Sequence, residues 1–141
     1  MAPTIQNPSP TTPHKPAVIF LVDDHPTLLD LAEVSLQPDG YTPRKFDDPE
    51  VALEAFLKAR AKPDLLITDY AMGKLNGIEL IERCKAVKPD LKTIIISGTA
   101  GAEIVLGATV KVDRFLGKPY QPLSLAEIVR RVLEEPGAAP P

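Results

Sequence analysis

Five apolar residues and two acids follow one another early in the chain, at Val18-Ile19-Phe20-Leu21-Val22-Asp23-Asp24. An unbroken apolar run of this length is typical of a parallel β-strand that is covered on both faces. Two similar runs follow, at Leu65-Leu66-Ile67 and Ile94-Ile95-Ile96. Because such strands need helices above and below their sheet, these runs predict an α/β domain.

Strand-like runs recur along the chain, each about 21–27 residues after the one before, beginning near Ala17, Tyr41, Asp64, Leu91 and Val112. Stretches with helical spacing follow them; after the first run, Leu28, Ala32 and Leu36 recur every four residues, with Leu31 on the same face. Such β–α units predict parallel strands joined by right-handed crossovers.

Helix starts carry their own signals. Pro26 and Pro49 suit the first helical position, and Asp48 is placed to cap the helix that Pro49 begins. Asn76, with Glu79 three residues later, has the pattern of a capping box. These signals predict where three of the helices begin.

The second strand differs from the others. Its sequence, Thr42-Pro43-Arg44-Lys45-Phe46, is polar and contains a proline, which the centre of a sheet does not tolerate. We therefore place it at an edge, with the first, third and fourth strands inside. A doubly wound five-stranded parallel sheet in the order 2-1-3-4-5, the flavodoxin-like arrangement, satisfies this. Ligands of such sheets bind at the carboxyl ends of the strands, where the winding reverses between strands 1 and 3.

The composition limits the classes of function. The chain has 141 residues with a net charge of −3, which argues against nucleic-acid binding by bulk charge. The single cysteine, Cys84, excludes an internal disulfide and a four-cysteine metal site. The apolar run over residues 17–22 is too short for a membrane span or a signal peptide. We expect a cytoplasmic protein without direct contacts to nucleic acid or membrane.

Prolines mark the domain limits. Five of the 16 lie in residues 1–16 and three in residues 136–141. Segments of this composition cannot bury apolar surface, so we expect two disordered tails around one folded domain over residues 17–135.

Polar side chains stand at the ends of four strands, namely Asp23 and Asp24, Asp69, Ser97, and Lys118. Since these ends share one edge of the sheet, we expect three carboxylates, a hydroxyl and an ammonium in one crevice. The carboxylates repel one another unless a cation neutralises them, and Mg²⁺ fits best because it leaves sites for phosphate oxygens. One carboxylate could be a nucleophile that forms an aspartyl-phosphate.

Four stretches resemble the receiver domain of two-component response regulators: Leu21-Val22-Asp23-Asp24-His25, Asp69-Tyr70-Ala71-Met72-Gly73-Lys74-Leu75-Asn76-Gly77, Ser97-Gly98 and Phe115-Leu116-Gly117-Lys118-Pro119. The resemblance covers about residues 17–135 and implies the (βα)5 receiver fold. It also implies a phosphorelay protein that takes a phosphoryl group from a histidine kinase or a histidine phosphotransfer protein. Such a domain is a phosphoacceptor and not a conventional enzyme.

The resemblance implies a role for each residue of the crevice. Asp69 would be the phosphoacceptor. Mg²⁺ would be held by Asp23, Asp24 and Asp69, helped by the backbone carbonyl of Ala71. Ala71 and Thr99 would flank the path of the water that hydrolyses the aspartyl-phosphate.

The resemblance also implies a switch. Ser97 and Lys118 would each bind a phosphoryl oxygen, and Pro119 would follow a cis peptide bond. Ser97 and Phe115 would then move together and alter the face made by a helix predicted over residues 101–108, the fifth strand and the last helix. A downstream effector would bind this face.

Some positions depart from the family pattern. Gly73 stands where proline is frequent, and Gly101 and Gly107 weaken the helix predicted over residues 101–108. Val110-Lys111-Val112 replaces the usual Gly-Ala before the fifth strand, and the stretch from Ser97 to Lys118 is about one residue short.

Other classes fit less well. A haloacid-dehalogenase-like phosphatase needs a second acid two residues after Asp69, where this chain has Ala71. A phosphate-cradling nucleotide binder needs a glycine-rich loop after the first strand, where this chain has Asp23-Asp24-His25-Pro26. A phosphorylation-independent interaction module with the same fold remains the alternative. We expect no output domain after residue 135, so the chain is a free-standing regulator, a phosphorelay shuttle or a piece of a larger protein.

Overall fold

The computed structural model describes residues 16–98 and 110–135. Within these ranges strands and α-helices alternate as β1 (Val18–Val22), α1 (Pro26–Leu36), β2 (Thr42–Phe46), α2 (Pro49–Lys58), β3 (Leu65–Asp69), α3 (Gly77–Val87), β4 (Lys92–Ser97), β5 (Arg114–Gly117) and α4 (Pro122–Glu134). A short 3-10 turn, Gln37–Asp39, follows α1. The helix predicted over residues 101–108, Thr99, and the tails apart from Pro16 lie outside the described residues, so the domain limits stay a prediction.

The five strands form one parallel sheet in the order β2-β1-β3-β4-β5, which confirms the predicted topology. The proline-containing strand β2 lies at one edge, where Pro43 pairs with Ile19 of β1. β5 lies at the other edge and begins at Arg114, two residues later than the sequence predicts. The crossovers place the carboxyl ends of all five strands at the same edge of the sheet.

Side chains of β1 alternate between the two faces of the sheet. Ile19 and Leu21 pack with α1 and α4 in one buried cluster, whereas Phe20 and Val22 pack with α2 and α3 in the other. The burial of a side chain of this size contributes about 1.5–3 kcal/mol. The two clusters therefore fix β1 from above and below, as its unbroken apolar run predicts.

The buried face of α1 differs from the predicted one. Leu29, Ala32 and Leu36 are buried, whereas Leu31 is 36% exposed and Leu28 is only partly buried. Successive helical residues are about 100° apart, so Leu31 lies roughly 200° around the helix from Leu29. The inclusion of Leu31 in the predicted face was wrong.

Helix starts match their predicted signals. The Asp48 carboxylate accepts a hydrogen bond from the Glu50 N–H (2.8 Å) at the start of α2. At the start of α3, Asn76 and Glu79 each accept from the other's backbone N–H, at 2.8 and 2.9 Å, so the capping box is confirmed. Pro26 is the first residue of α1, as predicted.

Cys84 lies on the buried face of α3. It is 1% exposed, and burial raises the pKa of its thiol to about 12. The thiol therefore stays protonated and unreactive in the folded domain. Among the helices in the described ranges, none has the length and apolar content to cross a membrane.

Lys92 joins the start of β4 to the end of α4. Its Nζ donates to the backbone carbonyls of Val132 (2.8 Å), Leu133 (3.3 Å) and Glu135. The last carbonyls of a helix have no partner within the helix, and a cation there also interacts favourably with the helix dipole. The contact holds the last helix against the amino-terminal edge of the sheet.

We predict that Lys92→Met lowers the free energy of unfolding by about 1–2 kcal/mol, because the variant keeps most of the apolar side chain but loses the charge-assisted bonds. Urea unfolding followed by circular dichroism measures this loss. The matched control is Lys88→Met, because the ammonium of Lys88 forms an ion pair with exposed Asp90. The control should lose no more than about 0.5 kcal/mol. Equal losses in both variants would contradict the role of Lys92 at the helix end.

Candidate functional site

The site lies at the carboxyl edge of the sheet, where four strands end in polar residues. Asp23 follows β1 directly, and Asp69 and Ser97 are the last residues of β3 and β4. Lys118 follows β5. Because β1, β3, β4 and β5 are neighbours in that order, their ends deliver these side chains to one place, as the sequence predicts.

Lys118 bridges the two buried carboxylates. Its Nζ lies 3.2 Å from Asp23 Oδ2 and 3.2 Å from Asp69 Oδ1. Asp23 is 8% exposed and Asp69 is 5% exposed, so water screens these charges little. One ammonium therefore faces two carboxylates in a poorly hydrated crevice.

Asp24 and His25 complete the acidic cluster on its solvent side. The His25 Nδ1 lies 3.0 Å from Asp24 Oδ1 and 3.2 Å from Asp23 Oδ1, and the His25 backbone N–H donates to Asp23 Oδ1 (2.9 Å). One potential ligand atom from each of Asp23, Asp24, His25 and Asp69 lies within 4.8 Å of the others. The His25 side chain is 66% exposed, and its contacts with both acids were not predicted. Its position next to the acidic pair was the available signal.

The electrostatics of the cluster centre on Asp69. Burial raises the pKa of the Asp69 carboxyl above its usual range, and the neighbouring Asp23 raises it further. The ammonium of Lys118 acts in the opposite direction without cancelling these effects. The ionised crevice is therefore short of positive charge, which is what an added cation would supply.

Hydrogen bonds around the end of β3 hold Asp69 in place. The Tyr70 N–H donates to the Asp69 Oδ1 (3.0 Å) and to the Ile96 carbonyl of β4 (3.0 Å). The Thr68 hydroxyl donates to the Asp69 carbonyl (2.9 Å). The Gly77 N–H donates to the Tyr70 carbonyl (2.8 Å) and ties the start of α3 to the end of β3. Thr68 and Gly77 were not predicted to serve the site, since their contacts depend on how closely α3 approaches β3.

The predicted switch residues flank this cluster. Ser97 is 2% exposed, and its carbonyl accepts from the Lys118 N–H (2.8 Å). Phe115 pairs with Ile95 in the sheet and is partly buried against the cluster that contains Phe20. The ends of β4 and β5 are therefore joined.

The other predicted residues are also placed. The Lys118–Pro119 peptide bond is cis, as the resemblance implies. Ala71 is exposed two residues after Asp69. Thr99 lies outside the described residues.

Comparison with known proteins decides the family. The sequence matches the model of the response regulator receiver domain over residues 19–130. The chain belongs to this family. It shares 32% identity over 127 residues with the transcriptional regulatory protein GlrR of Escherichia coli K12, covering 89% of this chain and 28% of GlrR. It is also 32% identical over 127 residues to the alkaline phosphatase synthesis transcriptional regulatory protein PhoP of Bacillus subtilis, covering 87% of this chain and 51% of PhoP.

Solved receiver structures share the fold. A CheY-like receiver domain protein from Methanospirillum hungatei superposes with a TM-score of 0.77 at 25% identity, over 85% of this chain and 95% of that one. The chemotaxis protein CheY4 of Vibrio cholerae gives a TM-score of 0.72 at 25% identity, over 84% of this chain and 99% of that one. This receiver chain thus spans nearly the full length of these structures, but only 28% of GlrR and 51% of PhoP.

We predict that Asp69→Asn raises the melting temperature of the receiver in chelator at neutral pH by about 2–6 °C, the shift expected from ~1 kcal/mol. Because the pKa of Asp69 is raised in the folded state, its ionised form costs stability above that pKa. The cost disappears as the pH falls through it. The gain over wild type should therefore shrink on acidification, as differential scanning fluorimetry across a pH series would show.

The control for this prediction is Asp90→Asn. The pKa of Asp90 is lowered by Lys88, so its carboxylate contributes stability at neutral pH and its loss should give no gain. A lower melting temperature for Asp69→Asn in chelator would show that Lys118 outweighs burial and repulsion at the site.

Proposed function

We propose that this receiver accepts a phosphoryl group on Asp69, in a Mg²⁺-dependent reaction, from a phosphohistidine of a histidine kinase or a histidine phosphotransfer protein. The observation that carries the proposal is the position of Asp69. It is a buried carboxylate at the carboxyl edge of the sheet, 3.2 Å from the ammonium of Lys118 and grouped with Asp23 and Asp24.

The donor set suits a hard divalent cation. Asp23, Asp24 and Asp69, with the backbone carbonyl of Ala71, would hold Mg²⁺, which prefers oxygen ligands and keeps water and phosphate oxygens in its shell. The pKa of the Asp69 carboxyl is raised first by burial and then by the neighbouring Asp23, and a cation beside the carboxylates would offset both effects. When bound, the ion supplies charge neutralisation to the phosphoryl oxygens.

The chemical step is a phosphoryl transfer. A carboxylate oxygen of Asp69 attacks the phosphorus, the P–N bond to the donor imidazole breaks, and the released nitrogen takes a proton from solvent. Lys118 would pair with a phosphoryl oxygen, and the position of its Nζ beside Asp69 supports this role. Ser97 lies at the end of β4, next to β3, and its hydroxyl would bind another phosphoryl oxygen. The domain modifies only itself, which is why we do not propose a conventional enzyme.

The competing proposal is a receiver fold that binds a partner without phosphorylation. It would use the same surface but would not need the Asp69 carboxylate, Lys118 or a cation. Loss of the acceptor carboxylate therefore separates the two proposals directly.

We predict that incubation with acetyl phosphate and Mg²⁺ adds about 80 Da, the mass of one phosphoryl group, to the wild-type protein and none to Asp69→Asn. The variant keeps the shape and the acceptor for the Tyr70 N–H but lacks the nucleophilic oxygen. Intact-protein mass spectrometry measures the adduct. Chelation of Mg²⁺ should also abolish it in the wild type.

The control is Asp113→Asn, since Asp113 is a largely buried acid whose carboxylate accepts from the Thr93 N–H (2.8 Å) near the other end of β4. Asp113→Asn should still take up the adduct. An undiminished adduct in Asp69→Asn would place the acceptor elsewhere, and no adduct in the wild type would favour the phosphorylation-independent module.

The proposed output is a change at the face that includes β5 and α4. A phosphoryl group on Asp69 would draw the Ser97 hydroxyl towards it, through a charge-assisted bond worth about 1.5–3 kcal/mol. Phe115 is already partly buried against the adjacent cluster and could then turn further inward. Since a shift from 1:99 to 99:1 needs about 5.5 kcal/mol, we expect a graded switch. A downstream effector would bind this face.

We predict that Ser97→Ala still accepts a phosphoryl group on Asp69 but loses the response of Phe115, because the variant lacks the hydroxyl that pulls on the phosphoryl oxygen. NMR of the Phe115 ring and of the amides of residues 110–120, with and without beryllofluoride, measures the response. Asp113→Asn again serves as a control that should respond like the wild type. Identical shifts in wild type and Ser97→Ala would mean that the signal bypasses this pair.

We further propose that the receiver occupies residues 17–135 and acts in a two-component phosphorelay. GlrR and PhoP are transcriptional regulators by name, and this chain matches 28% and 51% of their lengths. The proposal for this chain is limited to the receiver reaction and the surface that it changes.

A further inference from the structure

We infer that Gly77 and Thr68 aim the Asp69 carboxylate through the backbone carbonyl of Asp69: Thr68 donates a hydrogen bond to this carbonyl, and Gly77 leaves the space beside it open. The inference rests on the proposed function, in which Asp69 is the phosphoacceptor. Both are positioning residues, because they act on the backbone of Asp69 and not on the reacting carboxylate.

Gly77 leaves room that no other residue would leave. A Cβ atom at this position would lie 2.5 Å from the Asp69 carbonyl oxygen, 3.2 Å from Thr68 Cγ2 and 3.2 Å from Tyr70 Cα. The nearest of these atoms belongs to the backbone of a buried strand, which cannot swing aside like the end of a long side chain. Gly77 is needed for space and not for its torsion, since Gly40 is the only described glycine with a positive φ (74°).

Hydrogen bonds hold the start of α3 close to the end of β3. Gly77 is the first residue of α3, and its N–H donates to the Tyr70 carbonyl (2.8 Å). The capping box of Asn76 and Glu79 fixes the same helix end. A side chain at residue 77 would therefore press against the Asp69 carbonyl instead of moving into solvent.

The Asp69–Tyr70 peptide unit connects this carbonyl to the carboxylate. On one side its carbonyl accepts from the Thr68 hydroxyl (2.9 Å). On the other side its N–H donates to the Asp69 Oδ1 (3.0 Å) and to the Ile96 carbonyl (3.0 Å). Because a peptide unit is planar, a push on the carbonyl also moves the N–H, and the carboxylate oxygen bound to it must turn.

The reaction is sensitive to such a turn. A misplacement of about 1 Å can cost roughly 100-fold in rate when a reaction depends on the alignment of attacking and leaving atoms. The Asp69 Oδ1 also faces Lys118 Nζ at 3.2 Å, so a turned carboxylate would lose that ion pair too.

The first test compares Gly77→Ala with Gly73→Ala. Gly73 lies in the same loop, and a Cβ atom there would meet nothing within 4 Å. At saturating Mg²⁺, the rate constant for Asp69 phosphorylation by acetyl phosphate should fall about 10-fold to 100-fold in Gly77→Ala. It should stay within about twofold of the wild type in Gly73→Ala. Three-bond NMR couplings that report the Asp69 χ1 angle in the metal-free protein should change in the first variant only.

The second test separates positioning from stability at Thr68. Thr68→Val keeps the buried volume and loses the hydroxyl, whereas Thr68→Ser keeps the hydroxyl and loses a buried methyl group. Positioning predicts that the phosphorylation rate follows the hydroxyl, so the valine variant is several-fold slower than the serine variant. A purely structural role predicts that the rates follow the melting temperatures.

Each outcome decides the inference. A folded Gly77→Ala protein that is phosphorylated within twofold of Gly73→Ala, with an unchanged Asp69 χ1, would overturn it. If Gly77→Ala does not fold, the Thr68 pair decides, and equal rates in its two variants would overturn it. If wild-type Asp69 takes up no phosphoryl group, the proposed function fails, while the Asp69 χ1 couplings still test the positioning itself.

Discussion

β1 pairs with β3 in parallel, with Val22 opposite Thr68, so that the residues that follow these two lie beside each other at the carboxyl edge of the sheet. Those residues are Asp23 and Asp69, and they become neighbours only through this register. A shift by one residue would turn each side chain to the opposite face of the sheet. The apolar contacts on both faces of β1 hold the register, so the core directly determines the distance between the two carboxylates.

The same register brings two buried carboxylates together, and the rest of the site offsets only part of the electrostatic cost. The two buried carboxylates of Asp23 and Asp69 share the ammonium of Lys118, and the pKa of Asp69 remains raised. The apolar clusters tolerate this cost because they lie on the faces of the sheet and the acids lie at its edge. The acidic crevice destabilises the folded domain most when every carboxylate is ionised and no cation is bound. A cation that binds there would therefore stabilise the folded domain.

The sequence predicted the strand order and the location of the site, because both depend on the pattern of apolar residues along the chain. The strand order followed from Pro43 and the unbroken run of β1, and the site edge followed from where the strands end. The face of α1 was mispredicted, because leucines at 28, 29, 31 and 36 fit more than one helical phase. The role of Gly77 could not be predicted, since it depends on a distance between α3 and β3 that no spacing along the chain encodes.

The backbone contacts of the site also limit how it can respond. The Tyr70 N–H bonds the Ile96 carbonyl, and the Lys118 N–H bonds the Ser97 carbonyl, so the ends of β3, β4 and β5 are joined in series. A strand that moved alone would break a buried backbone bond, which costs about 1–3 kcal/mol when the freed groups stay unsatisfied. In the proposed switch, the side chains of Ser97 and Phe115 would rotate without breaking these backbone bonds. The strands would then act as a fixed frame, and the proposed surface change would come from side chains at the carboxyl edge of the sheet.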